Sequence, residues 1–168
     1  MGMTETVSPG FNLNTAIDIA RKGHGDQRDK AGAPYILHTM LVMDQLEGHL
    51  AKITGVLHDL VEDGHSTFEE LETQGCPPEV IEALKLVTHP EGFQNTEEEY
   101  LRWIEAIRDS GNQIAIDVKW ADLTHNSILS RIPDPTEKDR KRMAKYKKSK
   151  DILRPVVSKY LTDNEKTP

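Results

Sequence analysis

The chain has 168 residues, of which 36% are hydrophobic and 29% charged, and its formal net charge at pH 7 is −7. These values are typical of one globular domain with a buried core, and no apolar run approaches the roughly 20 residues that a membrane-spanning helix needs. The acidic balance disfavours general nucleic-acid binding, which usually requires a basic surface. A single cysteine, Cys76, excludes an internal disulfide, and the start of the chain lacks the pattern of a secretory signal. We therefore expect a cytoplasmic protein.

Helical periodicity runs through the first half of the sequence. Apolar residues three and four positions apart predict a first helix from Leu13 to about Gly23, and a loop that includes Pro34 follows it. The same spacing predicts two further helices over Tyr35–Leu46 and Ala51–Asp63.

A capping box and a proline predict the starts of two more helices. Ser66 and Glu69 have the spacing of a capping box, which predicts a short helix that ends at Gly75. Pro78 is expected at the start of the next helix, whose apolar residues between positions 80 and 87 form one buried stripe.

The second half of the sequence is also helical in pattern. Residues 95–111 predict a helix with acids in its first turn, and Gln113–Arg131 is apolar enough for a central helix. The stretch QIAIDVKW within that segment is the one place where apolar and polar residues alternate as in a β-strand, so a strand is an alternative there. A last helix is expected from near Thr136 to Pro155, where proline stops or kinks it. The pattern predicts one all-α bundle with its core between about residues 12 and 160.

The stretch GVLHDLVEDGHS concentrates groups that carry chemistry. On a helix, Asp59, Glu62 and Asp63 share a face, and so dense a set of carboxylates repels itself unless water or a cation neutralises it. One interpretation is the solvated face of an amphipathic helix. The other is half of a metal site, in which His58 and Asp59 are ligands.

Two residues elsewhere in the chain can complete such a site. His38 lies in an apolar helical segment, where a lone histidine is more often a hydrogen-bonded core residue. Asp122 interrupts the most apolar segment, and burial of an unpaired carboxylate is costly, so it needs either Lys119 or a metal ion as its partner. Imidazole and carboxylate together are typical of Mn²⁺, Fe²⁺ or Zn²⁺ sites.

A basic segment near the end of the chain opposes the overall acidity. TEKDRKRMAKYKKSK, residues 136–150, contains eight Lys or Arg and two acidic residues. Such a run is usually the solvated face of a helix. The alternative is a cationic wall for an anionic ligand.

The order of these motifs resembles that of the HD-domain metal-dependent phosphohydrolases. HGDQRDKAGAPYILH, GVLHDLVEDGHST and VKWADLTHN are similar to the hydrolase domain of the RelA/SpoT homologues and to small alarmone hydrolases. The resemblance covers about Ala16 to Tyr146. It implies an all-helical HD-type fold and an enzyme that removes pyrophosphate from the 3′ position of guanosine tetra- and pentaphosphate.

The resemblance also assigns roles by position. It implies one divalent ion per chain, usually Mn²⁺, with Fe²⁺ or Zn²⁺ as alternatives. Glu62 and Asp63 match an acidic pair that orients or deprotonates the attacking water. The implied metal ligands are His38, His58, Asp59 and Asp122.

The substrate contacts follow the family pattern only in part. Asp29 stands where alarmone hydrolases commonly carry an arginine that stacks on guanine, and Arg28 precedes it. The candidate substrate contacts are Arg28, Lys30, Asn126, Arg142 and Lys145.

Three functions therefore stay open. The first is hydrolysis of guanosine tetraphosphate, the second is phosphatase activity on other nucleotides or dinucleotide phosphates, and the third is a catalytically silent nucleotide-binding sensor. The expected partner is a small-molecule nucleotide, with neither nucleic acid nor membrane as a partner. The resemblance also allows a homodimer.

Overall fold

The computed structural model describes residues 10–128 and 131–165, and these ranges contain nine helices and no β-strand. This confirms the predicted all-α class. The QIAIDVKW stretch lies inside a helix, so the strand alternative is wrong. The helices are α1 (Leu13–His24), α2 (Tyr35–Gln45), α3 (His49–Leu57), α4 (Phe68–Thr73), α5 (Pro78–Val87), α6 (Glu97–Asp109), α7 (Gln113–Asn126), α8 (Glu137–Leu153) and α9 (Lys159–Asn164).

Helices α3 and α7 form the centre of the fold. Helix α3 packs against α1, α2, α5 and α7, and α7 also contacts α2, α5 and α8. Both helices are buried around most of their circumference, as expected for helices at the centre of a bundle. In the described part of the chain, no helix is both long enough and apolar enough to cross a bilayer.

Side-chain caps fix several helix starts. Thr67 caps α4 and exchanges hydrogen bonds with Glu70, so the capping box lies one residue later than the predicted Ser66–Glu69 pair. Thr136 caps α8 in the same way through Asp139, as the sequence predicts for the start of that helix.

The helix predicted to extend to Asp63 ends six residues earlier, at Leu57. Leu60 N–H donates to the Leu57 carbonyl at 3.0 Å, a three-residue spacing that tightens the chain into turns. Gly64 ends these turns at φ +78°, which only glycine adopts without strain. The predicted common helix face of the acidic residues is therefore wrong, and a compact turn carries them instead.

The C-terminal half shows two further differences from the prediction. Helix α7 ends at Asn126, short of the predicted Arg131, and part of the remaining range (129–130) lies outside the described residues. Helix α8 ends before Pro155 as expected, but the short helix α9 follows it and was not predicted. The stretch judged free of a secretory signal lies largely within residues 1–9, which are also outside the described ranges.

Gly55 allows α2 to approach α3 closely. A Cβ atom at Gly55 would lie 2.6 Å from Leu46 Cδ1 and 3.3 Å from the Cα atom of Met43, a backbone atom that moves only with its helix. Glycine is therefore required where the two helices cross, and this crossing brings His38 of α2 toward the end of α3.

We expect Gly55→Ala to lower the free energy of unfolding by about 1 to 3 kcal/mol, because overpacking pushes α2 away from α3. Urea unfolding of the metal-free protein measures this change. Glu82→Ala, at an exposed position of α5, is the control and should stay within about 0.5 kcal/mol of the parent protein. Equal stability of the Gly55→Ala variant and the parent would contradict the close approach.

Candidate metal centre

The structure brings the four predicted metal ligands together. Each offers one donor atom, and these atoms all lie within 4.8 Å of one another, in a buried position. His38 comes from α2, His58 and Asp59 from the turns after α3, and Asp122 from α7. The packing of three helices therefore creates a cluster of two imidazoles and two carboxylates.

The donor atoms face one common point. His38 Nε2 lies 3.0 Å from Asp122 Oδ1, and His58 Nε2 lies 2.9 Å from Asp59 Oδ2. The two Nε2 atoms are 3.3 Å apart. Such close nitrogen and oxygen atoms need a positive charge between them.

Hydrogen bonds at the far side of each ring orient the two histidines. His58 Nδ1 lies 2.6 Å from the Gly55 carbonyl oxygen, which only accepts, so Nδ1 carries a proton and the Nε2 lone pair of the neutral ring faces the cluster. His38 Nδ1 lies 2.6 Å from His125 Nδ1. Burial and the nearby His38 lower the pKa of His125 to about 4, so His125 is neutral and its Nδ1 can accept a bond from a proton on His38 Nδ1. Both Nε2 atoms are thus available as metal ligands.

The electrostatics of the cluster are consistent with a cation at its centre. Burial alone would lower the pKa of His58, but Asp59 and Asp122 outweigh it and raise that pKa well above its usual value. A divalent ion supplies the same positive charge to the same atoms. The donor set of two imidazoles and two carboxylates therefore fits a divalent first-row metal.

Asp122 has Lys119 as one of the partners that the sequence left open, and its other oxygen faces the candidate metal position. Its Oδ2 accepts a hydrogen bond of 2.9 Å from Lys119 Nζ, while its Oδ1 faces the two histidines and accepts from Asn126 Nδ2 at 2.9 Å. Burial would raise the pKa of Asp122, but Lys119 and the histidines hold it well below its usual value. The carboxylate is therefore ionised and fixed in orientation.

Two residues of this centre were not predicted. The Tyr35 hydroxyl donates to Asp59 Oδ2 at 2.5 Å, and Tyr35 precedes His38 by three positions on α2, a spacing that could have indicated it. His89 donates its backbone N–H to Glu62 Oε1 at 3.0 Å. His89 lies too far from Glu62 in sequence for any local pattern to pair them.

Glu62 and Asp63 have different surroundings. Glu62 lines the cavity over Asp59 and Asp122, and burial together with the Asp59 charge raises its pKa to about 7. Asp63 instead accepts a hydrogen bond of 3.0 Å from Gln27 Nε2 and is not among the residues that line that cavity. The structure therefore brings only one member of the predicted acidic pair to the cavity.

Two adjoining cavities extend from the cluster. The smaller, of about 150 Å³, opens over Asp59 and Asp122, and the larger, of about 330 Å³, lies beside it. The residues that line both are Tyr35, Asn126, Arg142 and Tyr146.

All five candidate substrate contacts line these cavities. Arg28 and Lys30 line the larger cavity, Lys145 lines the smaller, and Asn126 and Arg142 line both. The joined space therefore has cationic side chains on several sides.

The basic segment of α8 contributes both to a cationic wall and to a solvated helix face, the two roles that the sequence left open. Arg142 and Lys145 line the cavities, whereas Lys148 is exposed and pairs with Glu97 at 2.6 Å. One side of the helix is thus a cationic wall and another is a solvated face.

The carboxylate of Asp29 is hydrogen-bonded by its own loop and by an arginine. Its Oδ1 accepts the backbone N–H groups of Ala31 and Ala33 at 2.9 Å each, and its Oδ2 accepts from Arg131 Nη2 at 3.0 Å. Arg131 also donates to the His125 carbonyl at 2.9 Å. Asp29 therefore fixes an arginine from another part of the chain at the wall of the larger cavity.

The fold and the cluster define a class of protein. A solved structure, described as a metazoan ortholog of SpoT that hydrolyses ppGpp, aligns with a TM-score of 0.75 over 91% of this chain and 91% of its own, at 22% identity. No protein-family model matches the chain. This likeness shows the fold, which agrees with the HD-type class that the order of the motifs implies.

Curated relatives narrow this class. The chain is 30% identical to a probable guanosine-3′,5′-bis(diphosphate) 3′-pyrophosphohydrolase of Synechocystis, in a match 167 residues long that covers 94% of this chain. It is 31% identical to a guanosine-3′,5′-bis(diphosphate) 3′-pyrophosphohydrolase of Spiroplasma citri, in a match 122 residues long that covers 68% of this chain. The chain spans 21% and 16% of these two relatives, respectively. The chain is thus an HD-type domain that resembles the hydrolase domain of the RelA/SpoT homologues.

The raised pKa of Glu62 predicts a pH-dependent effect on stability. The folded state holds this proton more tightly than the unfolded state, so the residue favours folding less as pH rises from about 4.5 to about 7. Glu62→Gln removes this dependence. We expect the variant to gain up to about 3 kcal/mol in free energy of unfolding, relative to the parent, between pH 5 and pH 8.

Urea unfolding of both proteins at the two pH values, with a chelator present, measures the gain. Glu105→Gln, at an exposed position of α6, is the control and should show no such gain. A stability difference between the Glu62→Gln variant and the parent that does not change with pH would refute the raised pKa.

Proposed function

We propose that the chain is a metal-dependent hydrolase that releases pyrophosphate from the 3′ position of guanosine tetraphosphate. The observation that carries this proposal is the buried His–Asp cluster at the base of two joined cavities with cationic walls. A site of this kind suits a polyphosphate, because its charges oppose those of the ligand. The names of the Synechocystis and Spiroplasma relatives support the same reaction.

We assign the metal site to the four clustered residues and propose Mn²⁺ as the ion. A divalent ion held there would supply Lewis acidity that activates water and polarises a phosphoryl oxygen. The ligands would be His38, His58, Asp59 and Asp122.

Glu62 is the proposed proton acceptor. With a pKa of about 7 it is ionised in part of the molecules at neutral pH, and a base tuned near the working pH is efficient. As the water oxygen forms its bond to phosphorus, Glu62 takes the proton and the bond from phosphorus to the 3′ oxygen breaks. The proton then passes to that 3′ oxygen, which leaves as the hydroxyl of the nucleotide. The His89 N–H donor holds the carboxylate in place. Asp63 bonds to Gln27, so we give it no proton-transfer role.

The cationic residues are proposed to bind the phosphates. Asn126 lies between the cluster and the larger cavity and bonds to Asp122, so it is placed to contact the ribose or the reacting phosphate. Arg142 and Lys145 are placed for the 3′ phosphates, and Arg28 and Lys30 for the rest of the nucleotide.

Asp29 favours a second candidate function. A carboxylate held by Arg131 and two backbone N–H groups cannot stack on guanine as an arginine does. A phosphatase that acts on another nucleotide would not need such stacking. The metal chemistry would be unchanged and the product would be orthophosphate.

Other expectations stay proposals. We propose a cytoplasmic location, a small-molecule nucleotide as the partner, and a single domain over the sequence. A homodimer remains a prediction.

The metal site predicts a defined stoichiometry. Metal-depleted protein should take up one Mn²⁺ per chain, and Asp122→Ala should lose this ion because it removes a ligand. Metal analysis after gel filtration measures both. Asp44→Ala, at an exposed position of the same helix as His38, should keep the ion. If a folded Asp122→Ala protein still bound one Mn²⁺ per chain, the assignment of Asp122 as a ligand would be wrong.

The reaction is tested by product analysis with Mn²⁺ present. We expect pyrophosphate from guanosine tetraphosphate, and we expect Glu62→Gln to lose at least about 100-fold in turnover while it keeps its Mn²⁺. Orthophosphate from other nucleotides would favour the second candidate. No turnover of any nucleotide by the Mn²⁺-loaded protein would favour a silent nucleotide-binding module.

A further inference from the structure

A second group of metal-binding side chains lies beside the first. One donor atom from each of His24, Asp63 and His65 lies within 4.8 Å of the other two. His24 ends α1, and the other two residues flank Gly64 after α3. None of the three belongs to the first cluster.

The side chain of Gln27 joins these three residues. Its Oε1 lies 2.9 Å from His24 Nδ1 and 2.7 Å from His65 Nε2, and its Nε2 donates to Asp63 Oδ2 at 3.0 Å. Two adjacent ligands of a tetrahedral ion, each about 2.1 Å from it, lie about 3.4 Å apart. The amide oxygen and the two imidazole nitrogens lie somewhat closer than this, so small shifts of the side chains would let Gln27 offer a fourth donor.

His24 differs from an ordinary surface histidine. It is only 2% exposed, and its Nε2 has no hydrogen-bond partner within the described ranges. Buried polar groups nearly always have a partner. Because nothing in the described ranges bonds to Nε2, the ring can carry its proton on either nitrogen and can offer Nδ1 to a cation beside Gln27.

We propose that His24, Asp63 and His65, with the amide oxygen of Gln27, form a second binding site for a divalent transition-metal ion. Two imidazoles and a single carboxylate suit Zn²⁺ better than Mn²⁺, because affinity at nitrogen sites rises along the series from Mn²⁺. The first cluster has one more carboxylate and is more deeply buried. The second site is therefore selective for Zn²⁺, and Mn²⁺ fills only the first.

The second ion would stabilise the first site. Asp63 N–H donates to the Asp59 carbonyl at 2.9 Å, so the two sites share one turn of chain. The Tyr35 ring lies 5.0 Å from the His24 ring, and its hydroxyl bonds to Asp59. A Zn²⁺ ion at the second site thus ties α1 to the turn that carries His58 and Asp59.

Calorimetric titration of metal-depleted full-length protein with Zn²⁺ tests this site. The parent protein should bind two equivalents, and both His65→Ala and Asp122→Ala should bind one. The double variant should bind none. His49→Ala removes an exposed histidine outside both clusters and should still bind two.

His65 is exposed, so His65→Ala should fold, and far-ultraviolet circular dichroism checks this. In the Asp122→Ala background, saturating Zn²⁺ should raise Tm, and the added His65→Ala or Gln27→Ala change should reduce that rise. One equivalent in the parent, or two in His65→Ala, overturns the second site. If Asp122→Ala alone still binds two, the proposed first site fails while the second does not.

Discussion

The buried carboxylate of Asp122 is the constraint on which the rest of the site depends. It lies on the central helix α7 at 5% exposure, where an unpaired charge would cost several kcal/mol. Lys119 neutralises one of its oxygens, and the other needs a positive charge that two neutral imidazoles cannot provide. The fold therefore tolerates Asp122 because Lys119 and Asn126 bond to it and the opposite side of the cluster attracts a cation or protons.

Gly55 serves both the packing and the chemistry of this cluster. The absence of a side chain lets α2 cross α3 closely, and the carbonyl group of the same residue accepts the Nδ1 proton of His58. The first effect sets the position of His38, and the second sets the tautomer of His58. One position therefore links helix packing to the ligand geometry.

The sequence predicted the parts of the structure that depend on local spacing. The end of α1 next to Gly25, the stop of α8 before Pro155 and the stripe of α5 follow from local sequence signals. The candidate metal ligands follow from the order of three motifs. The turn after Leu57 could not be predicted, because His58 to Asp63 keep a helical pattern while tertiary contacts tighten the chain. Two contacts, of His89 with Glu62 and of Gln27 with Asp63, join residues that are far apart in the sequence. No local pattern predicts such contacts.

Glu62 and Asp63, the two adjacent carboxylates after Val61, lie in different surroundings although one turn carries both. Glu62 lines the cavity, where burial raises its pKa to about 7, and Asp63 accepts a hydrogen bond from Gln27, which also contacts two histidines. A regular helix would have kept them on one face, as the sequence suggested. Because the chain tightens after Leu57, the two adjacent carboxylates lie in different places. Glu62 faces the cavity, and Asp63 takes part in the contacts that hold the turn to the end of α1.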